Sequence, residues 1–346
     1  MANVGQTNFS HTYNGAELIT EIFYQPEENN PSVEELYRVM DVRDKKNIYL
    51  PQELRKIFRV DTNGCGFTAA GGTFNINDKT ISTEKIKANL ELCVEEFIDT
   101  IWSEVLKRGV DINDLAATDI DEMVRTQITK ATRSDIHRLV WFADADDADA
   151  DWTQFDGWIS LFLDASADIG ASCFIDMDST AFESSDALAA GGALGLLRQM
   201  YENATASLRS ASNKRFYVTY TVLNNLMTSY EDTQSSSGLN LLINGQGMNQ
   251  LSFRGIPVIA VPEWDVHLAD TTNPHYTGSG LSIGSNLIVF TTPDNLIVGT
   301  DTVTAGGTTN QFKFRYADDD DEKLKIIAKM KLGAQFVHPE LVCVAY

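Results

Sequence analysis

Between Pro51 and Ala88 two runs of strand-forming residues are separated by a tract holding Gly64, Gly66, Gly71 and Gly72. This stretch limits what the chain can fold into more than any other. With a further turn signal at Asn77-Asp78, the pattern predicts a long hairpin from Pro51 to about Ala88 that has few side chains for a core of its own. Domains seldom carry so long a loop without a use for it. Its ordering entropy must be recovered against some other surface. The leading segment, residues 1–35, raises the same problem: it is polar, broken by Pro26 and by Asn29-Asn30-Pro31, and holds one short amphipathic piece, Ala16 to Phe23. A helix is expected at Ser32 to Met40, with Ser32 as cap, Glu34 and Glu35 at the positive end, and Val33, Leu36 and Val39 on one face. Both extensions are expected to become ordered only against sister copies.

Composition narrows the function. The 346 residues suffice for two domains. The 49 acids against 27 bases leave a net charge of −22, the opposite of a chain that grips phosphates. Enclosing nucleic acid without gripping it stays compatible. Like-charged copies repel, so assembly needs buried apolar contacts and local charge pairs. The sequence has no apolar run of membrane-spanning length, and its first residues lack the basic and apolar regions of a secretory signal. A soluble protein made in the cytosol is expected. Cys65, Cys93, Cys173 and Cys343 are too scattered for a zinc ribbon and read as reduced, buried thiols.

Along the chain, Glu95 to Arg108 has helical periodicity stopped by Gly109. Thr118 to Asp121 has the form of a capping box, opening a helix that runs to about Phe142, some 36 Å long. Ile120, Met123, Val124, Ile128 and Ala131 form its stripe, continued by Ile136, Leu139 and Val140. It reads as a strut. A helix over Ala189 to Ala211 with Leu194, Leu197, Tyr201 and Leu208 inward is followed by a buried strand, Arg215 to Thr219, and a short helix, "VLNNLMTSY". "LNLLING" and "LSFRGIPVIAVPEW" read as strands, the second bent by Pro257 and Pro262. "NLIVFTTPDNLIVGTD" supplies two more around a Pro293-Asp294 turn, and the apolar C-terminus is expected to dock in a sheet.

Three stretches invite chemistry. "CFIDMDST", Cys173 to Thr180, has the two-aspartate spacing of haloacid-dehalogenase-type phosphatases, making Asp176 and Asp178 candidate magnesium ligands. Its preceding strand is short, however, and the residues after it lack the alternation of helices and parallel strands that a doubly wound domain needs. In the Asp144–Asp151 run, a calcium loop started at Asp147 puts Trp152 where glycine is required and Trp158 where the closing glutamate is required. A solvated loop is the reading there. Gly245-Gln246-Gly247 is a turn. No catalytic residue, cofactor or resident metal follows from the sequence, and a structural role is expected.

The order of parts carries more: arm, glycine-bearing hairpin, strut helix, compact α/β domain, terminal return. "LSFRGIPVIAVPEWD" resembles the F-x-G-[VI]-P-V strand near the centre of tailed-bacteriophage major capsid proteins with the Hong Kong 97-type shell fold, an α+β fold. "NLIVFTTPDNLIVGTD" and "KLGAQFVHPELVCV" look like that family's following strand pair and closing segment, and the flavour of "NLELCVEEFIDTIW" is that of phages infecting Bacteroidota. The resemblance implies an N-terminal arm at residues 1–48, an extended loop at 49–88, a peripheral domain at 89–185 with 306–346, and an axial domain at 186–305. It implies assembly through Gly64, Gly66, Phe67, Gly71, Gly72, Phe74, Phe253, Gly255 and Pro257. It also implies hexamers and pentamers of one chain, closed around double-stranded DNA in a virion and meeting a portal and other virion proteins. Lys79 and Lys85 lie in the region where some relatives cross-link copies, although a surface lysine is the simpler reading. An encapsulin-type compartment is the alternative within the same fold; a receptor-binding or decoration protein is a third class.

Overall fold

The computed structural model describes residues 10–14, 33–51, 76–93, 119–177, 188–233, 251–275, 286–301, 311–316 and 323–346. These form two six-stranded sheets, a two-stranded hairpin and seven helices besides the single turn Val33–Leu36.

The first sheet is organised by one 14-residue strand, β13 (Lys323–Phe336), whose sequence "KLKIIAKMKLGAQF" largely alternates polar with apolar. Leu332, Ile326, Met330 and Phe336 are buried on one face. Antiparallel to β13 run β12 (Gln311–Tyr316), β11 (Leu296–Thr300) and β5 (Glu84–Cys93). β1 (Ser10–Asn14) extends the sheet beyond β12, and β2 (Arg38–Asp41) joins β11 in parallel. The second sheet has the order β6 (Phe174–Ile175), β14 (Cys343–Ala345), β10 (Ile288–Thr291), β7 (Arg215–Val218), β9 (Ile256–Ala260) and β8 (Leu251–Phe253).

The helix expected from the capping box is α1 (Asp119–Phe142), 24 residues long. Its C-terminal half drives Ile136, Leu139, Val140, Trp141 and Phe142 into the core that joins both sheets. Trp141 meets Trp158 and Trp264 edge-on at 4.6 and 4.7 Å, the geometry that aromatic quadrupoles favour. Trp158 and Trp264 come from α2 (Trp158–Asp164) and α7 (Pro262–Leu268). Between them in sequence lie α3 (Ser166–Ile169), α4 (Gly192–Asn203), α5 (Ala206–Ser210) and α6 (Tyr220–Thr233).

Several expectations give way to tertiary pairing. The helix over Ser32 to Met40 survives only as Val33–Leu36, because Arg38–Asp41 pairs with Ile297–Thr300. The helix over Ala189 to Ala211 is split at Ala204: Thr205 caps α5, accepting from Leu208 N while its hydroxyl donates to Glu340 O at 2.6 Å. Leu196 and Met200 fill the core there, and Leu194 and Tyr201 are only partly buried. Pro262 does not bend a strand; it opens α7 at a position where its missing N–H costs nothing. The hairpin pairing begins at Lys45 rather than 49, and residues 84–88, expected in the loop, belong to β5 beside β13. β11 joins the sheet of β13, and the last strand, β14, joins the other; both cross the boundaries expected from the order of parts. β1 pairs with β12 of its own chain, so Ser10–Asn14 does not wait for a sister copy. The helix expected at 95–108, the amphipathic piece at 16–23 and the strand at 239–245 lie outside the described residues.

The base of the hairpin β3 (Lys45–Pro51) and β4 (Ile76–Ser82) crosses the first sheet at one point, where Gly299 and Gly333 stand opposite each other in the β11–β13 ladder. A methyl added at Gly333 would lie 2.0 Å from Ser82 O, and one at Gly299 would lie 3.0 Å from both Ile81 Cδ1 and Thr83 Cγ2. Glycine here permits backbone to lie on backbone. Gly333→Ala is expected to cost about 1–3 kcal/mol by overpacking, and Gly299→Ala less, since side-chain ends can give. Urea unfolding checks this; equal, negligible losses would contradict it.

Candidate assembly surface

The hairpin base is fixed from several directions. Val42, Ile81, Ile297 and Val337 form a small buried cluster, with Ile48 and Leu50 of β3 packed against it. The turn between β2 and β3 is tied in by its backbone: Val42 N donates to Thr300 O at 3.0 Å, and Thr83 N to Asp44 O at 2.9 Å. Lys331 of β13 is buried, and its ammonium donates to the Asp44 carboxylate at 2.6 Å and to Arg43 O. That hydrogen bond and the lysine charge hold the exposed Asp44 carboxyl below its usual range. Lys79 of β4 lies 3.6 Å above the Phe336 ring, and burial lowers its pKa against the pull of Asp168 and Glu340. Lys79 is therefore engaged with its own sheet. Lys85 is exposed on β5, across from Lys331.

Of the residues expected to make assembly contacts, Gly64, Gly66, Phe67, Gly71, Gly72 and Phe74 lie outside the described residues. Phe253 is not available for contact: it is buried, edge-on to Phe216 at 6.0 Å. Gly255 and Pro257 are exposed. Gly255, with φ 76°, shares with Arg254, at φ 52°, the left-handed turn between β8 and β9. Arg254 is a non-glycine residue in that region, and its guanidinium lies 5.0 Å from the Tyr201 ring and 3.9 Å from a Glu202 carboxylate oxygen.

The stretch around Asp176 does not have the geometry of a phosphoryl-transfer loop. The two-residue β6 lies at a sheet edge beside β14, with Tyr346 N donating to Ile175 O at 3.1 Å and Met177 N to Tyr346 O at 2.7 Å. Asp176 is exposed and its charge raises the Tyr346 hydroxyl, behind the larger effect of burial. Asp178 lies outside the described residues. Among the described residues no three His, Cys, Asp or Glu side chains gather as a metal site, and no helix is long and apolar enough to cross a membrane.

The aspartate run forms a turn whose carboxylates serve its own backbone: Asp144 accepts from Asp146 N and Asp149 from Asp151 N, both at 3.0 Å, and Asp156 accepts from Ala145 N. Trp152 is fully buried below it.

One buried pair has nucleophile-and-base character, Ser160 Oγ at 3.1 Å from His275 Nε2. The Ser160 hydroxyl is committed to Ala143 O at 2.7 Å, so His275 is the donor to it and cannot take its proton. Burial depresses His275 to about 4, against opposing pulls from Asp144 and Asp147. Because the unfolded imidazole titrates near 6.5, the unfolded chain binds the extra proton between these values. Stability therefore falls as pH drops through that window, by about 2 kcal/mol between pH 7 and 5 from this group alone. Urea unfolding of the monomer should show this loss removed in His275→Gln; an unchanged pH slope would contradict it.

Sequence reasoning missed Gly299, Gly333 and Lys331. An isolated glycine inside each of two strand patterns was the available signal.

The full architecture has counterparts among solved structures. The chain is similar to a protein of Mycobacterium phage Ogopogo with TM-score 0.55 and 12% identity, covering 93% of each chain. It is similar to a chain of the satellite phage P4 procapsid with TM-score 0.50 and 11% identity, covering 89% of this chain and 92% of that one. A chain of the capsid of a native GTA particle matches with TM-score 0.50 and 12% identity over 93% of each. No family model matches the chain, and no curated protein matches it in sequence. The fold is the α+β Hong Kong 97-type capsid fold.

Proposed function

We propose that this chain, having that fold, is the major capsid protein of a tailed bacteriophage, a structural subunit and not an enzyme. Copies assemble as hexamers and pentamers into an icosahedral shell that encloses double-stranded DNA. The shell meets a portal and other virion proteins, after synthesis in the host cytoplasm. The observation that carries this is coverage: capsid and procapsid chains align with about nine-tenths of this chain rather than with one module of it. Two features of the chain support it. The hairpin stem is anchored on its own sheet, so the glycine-bearing residues 52–75 are carried on a fixed base, suited to contacts with non-identical neighbours. A net charge of −22 suits a container whose DNA is not condensed by the wall.

Purified protein is expected to sediment as capsomers or shells and to show closed particles by negative-stain microscopy. Replacing residues 62–75 by a short Gly-Ser linker should abolish the particles while leaving the monomer's melting temperature within a few degrees. A wild-type chain that stays monomeric across salt and concentration would contradict the reading.

A further inference from the structure

Acids outnumber bases 49 to 27 in this chain, yet the solvent face of the first sheet collects bases. Cross-strand register sets Lys329 directly opposite Lys87, and Lys331 opposite Lys85. Like charges directly opposite each other are destabilising. Lys331 is neutralised by Asp44. Lys85, Lys87 and Lys329 are exposed; no ion pair among the described residues engages Lys87 or Lys329, while the Lys85 charge is felt by the Asp44 carboxylate. Lys325 is on the same face, and the register gives Lys323, Lys313 and Arg315 the same parity. Glu91, across from Lys325, is the only acid at these β5 and β13 positions.

The same chain has the complement elsewhere. Asp144, Asp146, Asp147, Asp149 and Asp151 crowd one turn, and Asp146 and Asp151 are exposed. Asp156, Asp144 and Asp146 add their repulsion to burial in raising the neighbouring Asp164 carboxyl. Among the described residues no ion pair joins this turn to the lysine face.

From these two unneutralised patches we infer that the Lys85–Lys87–Lys329 face of the first sheet is a docking surface for a second copy of this chain, presented through its Asp144–Asp151 turn. Each patch then relieves the other's internal repulsion. Where one copy's turn meets the next copy's face without reciprocation the contact is heterologous, the kind that propagates into rings or closes a shell, and it rests on the reading that copies assemble. Bases on the edge strand β5 also deter edge-to-edge pairing, but Lys329 is on the interior strand β13, where that purpose does not apply.

The test uses full-length chains and sedimentation velocity at moderate salt. Lys87→Glu with Lys329→Glu exchanges one like-charge pair for another, so the monomer should melt within a few degrees of wild type. The assembled fraction should fall at least tenfold. Asp146→Lys with Asp151→Lys should do the same. Mixing the two variants restores opposite charges wherever they alternate, as in a hexamer, and should recover assembly that neither shows alone. Full assembly by the lysine variant, or no recovery on mixing, overturns the inference while leaving the shell reading intact if wild type assembles. Unimpaired assembly with loss of binding to a short DNA duplex would assign the face to nucleic acid and overturn it as well. Failure of wild type to assemble would defeat the shell reading itself, and this inference with it.

Discussion

At Gly299 and Gly333 two paired strands lose their side chains together, and the backbone of Ser82 and Thr83 lies in the gap. The geometry of the hairpin depends on this contact. A single Cβ on β13 would collide with a carbonyl oxygen rather than a flexible side-chain end. The Lys331–Asp44 pair and the bond from Thr83 N to Asp44 O then close the turn between β2 and β3 over the same point. Apolar burial of Val42, Ile81, Ile297 and Val337 makes the junction a small core of its own, separate from the main one. An excursion that cannot stabilise itself thus starts from a base with a fixed direction.

Charge adds a second layer. On the reading that copies assemble, an acidic chain gains from gathering its bases where another copy's acids can reach them, and β13 and β5 gather lysines on one sheet face. The buried Lys331 shows how strongly that face attracts carboxylates: Asp44, largely exposed, is drawn to it within the chain. The lysines beyond Asp44's reach leave the same demand for a neighbour.

What the sequence revealed was local. The strut α1 was legible because its apolar stripe lies within its own 24 residues and the capping-box pattern stands at its start. The strand pair around Pro293 was legible for the same reason, a turn flanked by β-branched runs. Arg38–Asp41 was not, since a helical signal a few residues long yields to a parallel partner at Ile297–Thr300 that no local pattern announces. Phe253 was expected as a contact residue because the resemblance of its motif implied it; its burial depends on Phe216, on a strand it does not directly pair with. The junction under the hairpin required knowing that two glycines distant in sequence stand face to face.

A particle reconstruction by cryo-electron microscopy tests the central claim most directly, that a self-anchored hairpin base projects its glycine-bearing residues onto other copies. The expected result is a closed shell in which Ser82 and Thr83 rest on Gly299 and Gly333 of their own chain while residues 62–75 touch a different subunit. Particles in which residues 62–75 fold back onto their own chain, or in which the hairpin base is seated on a neighbour's glycines, would contradict it.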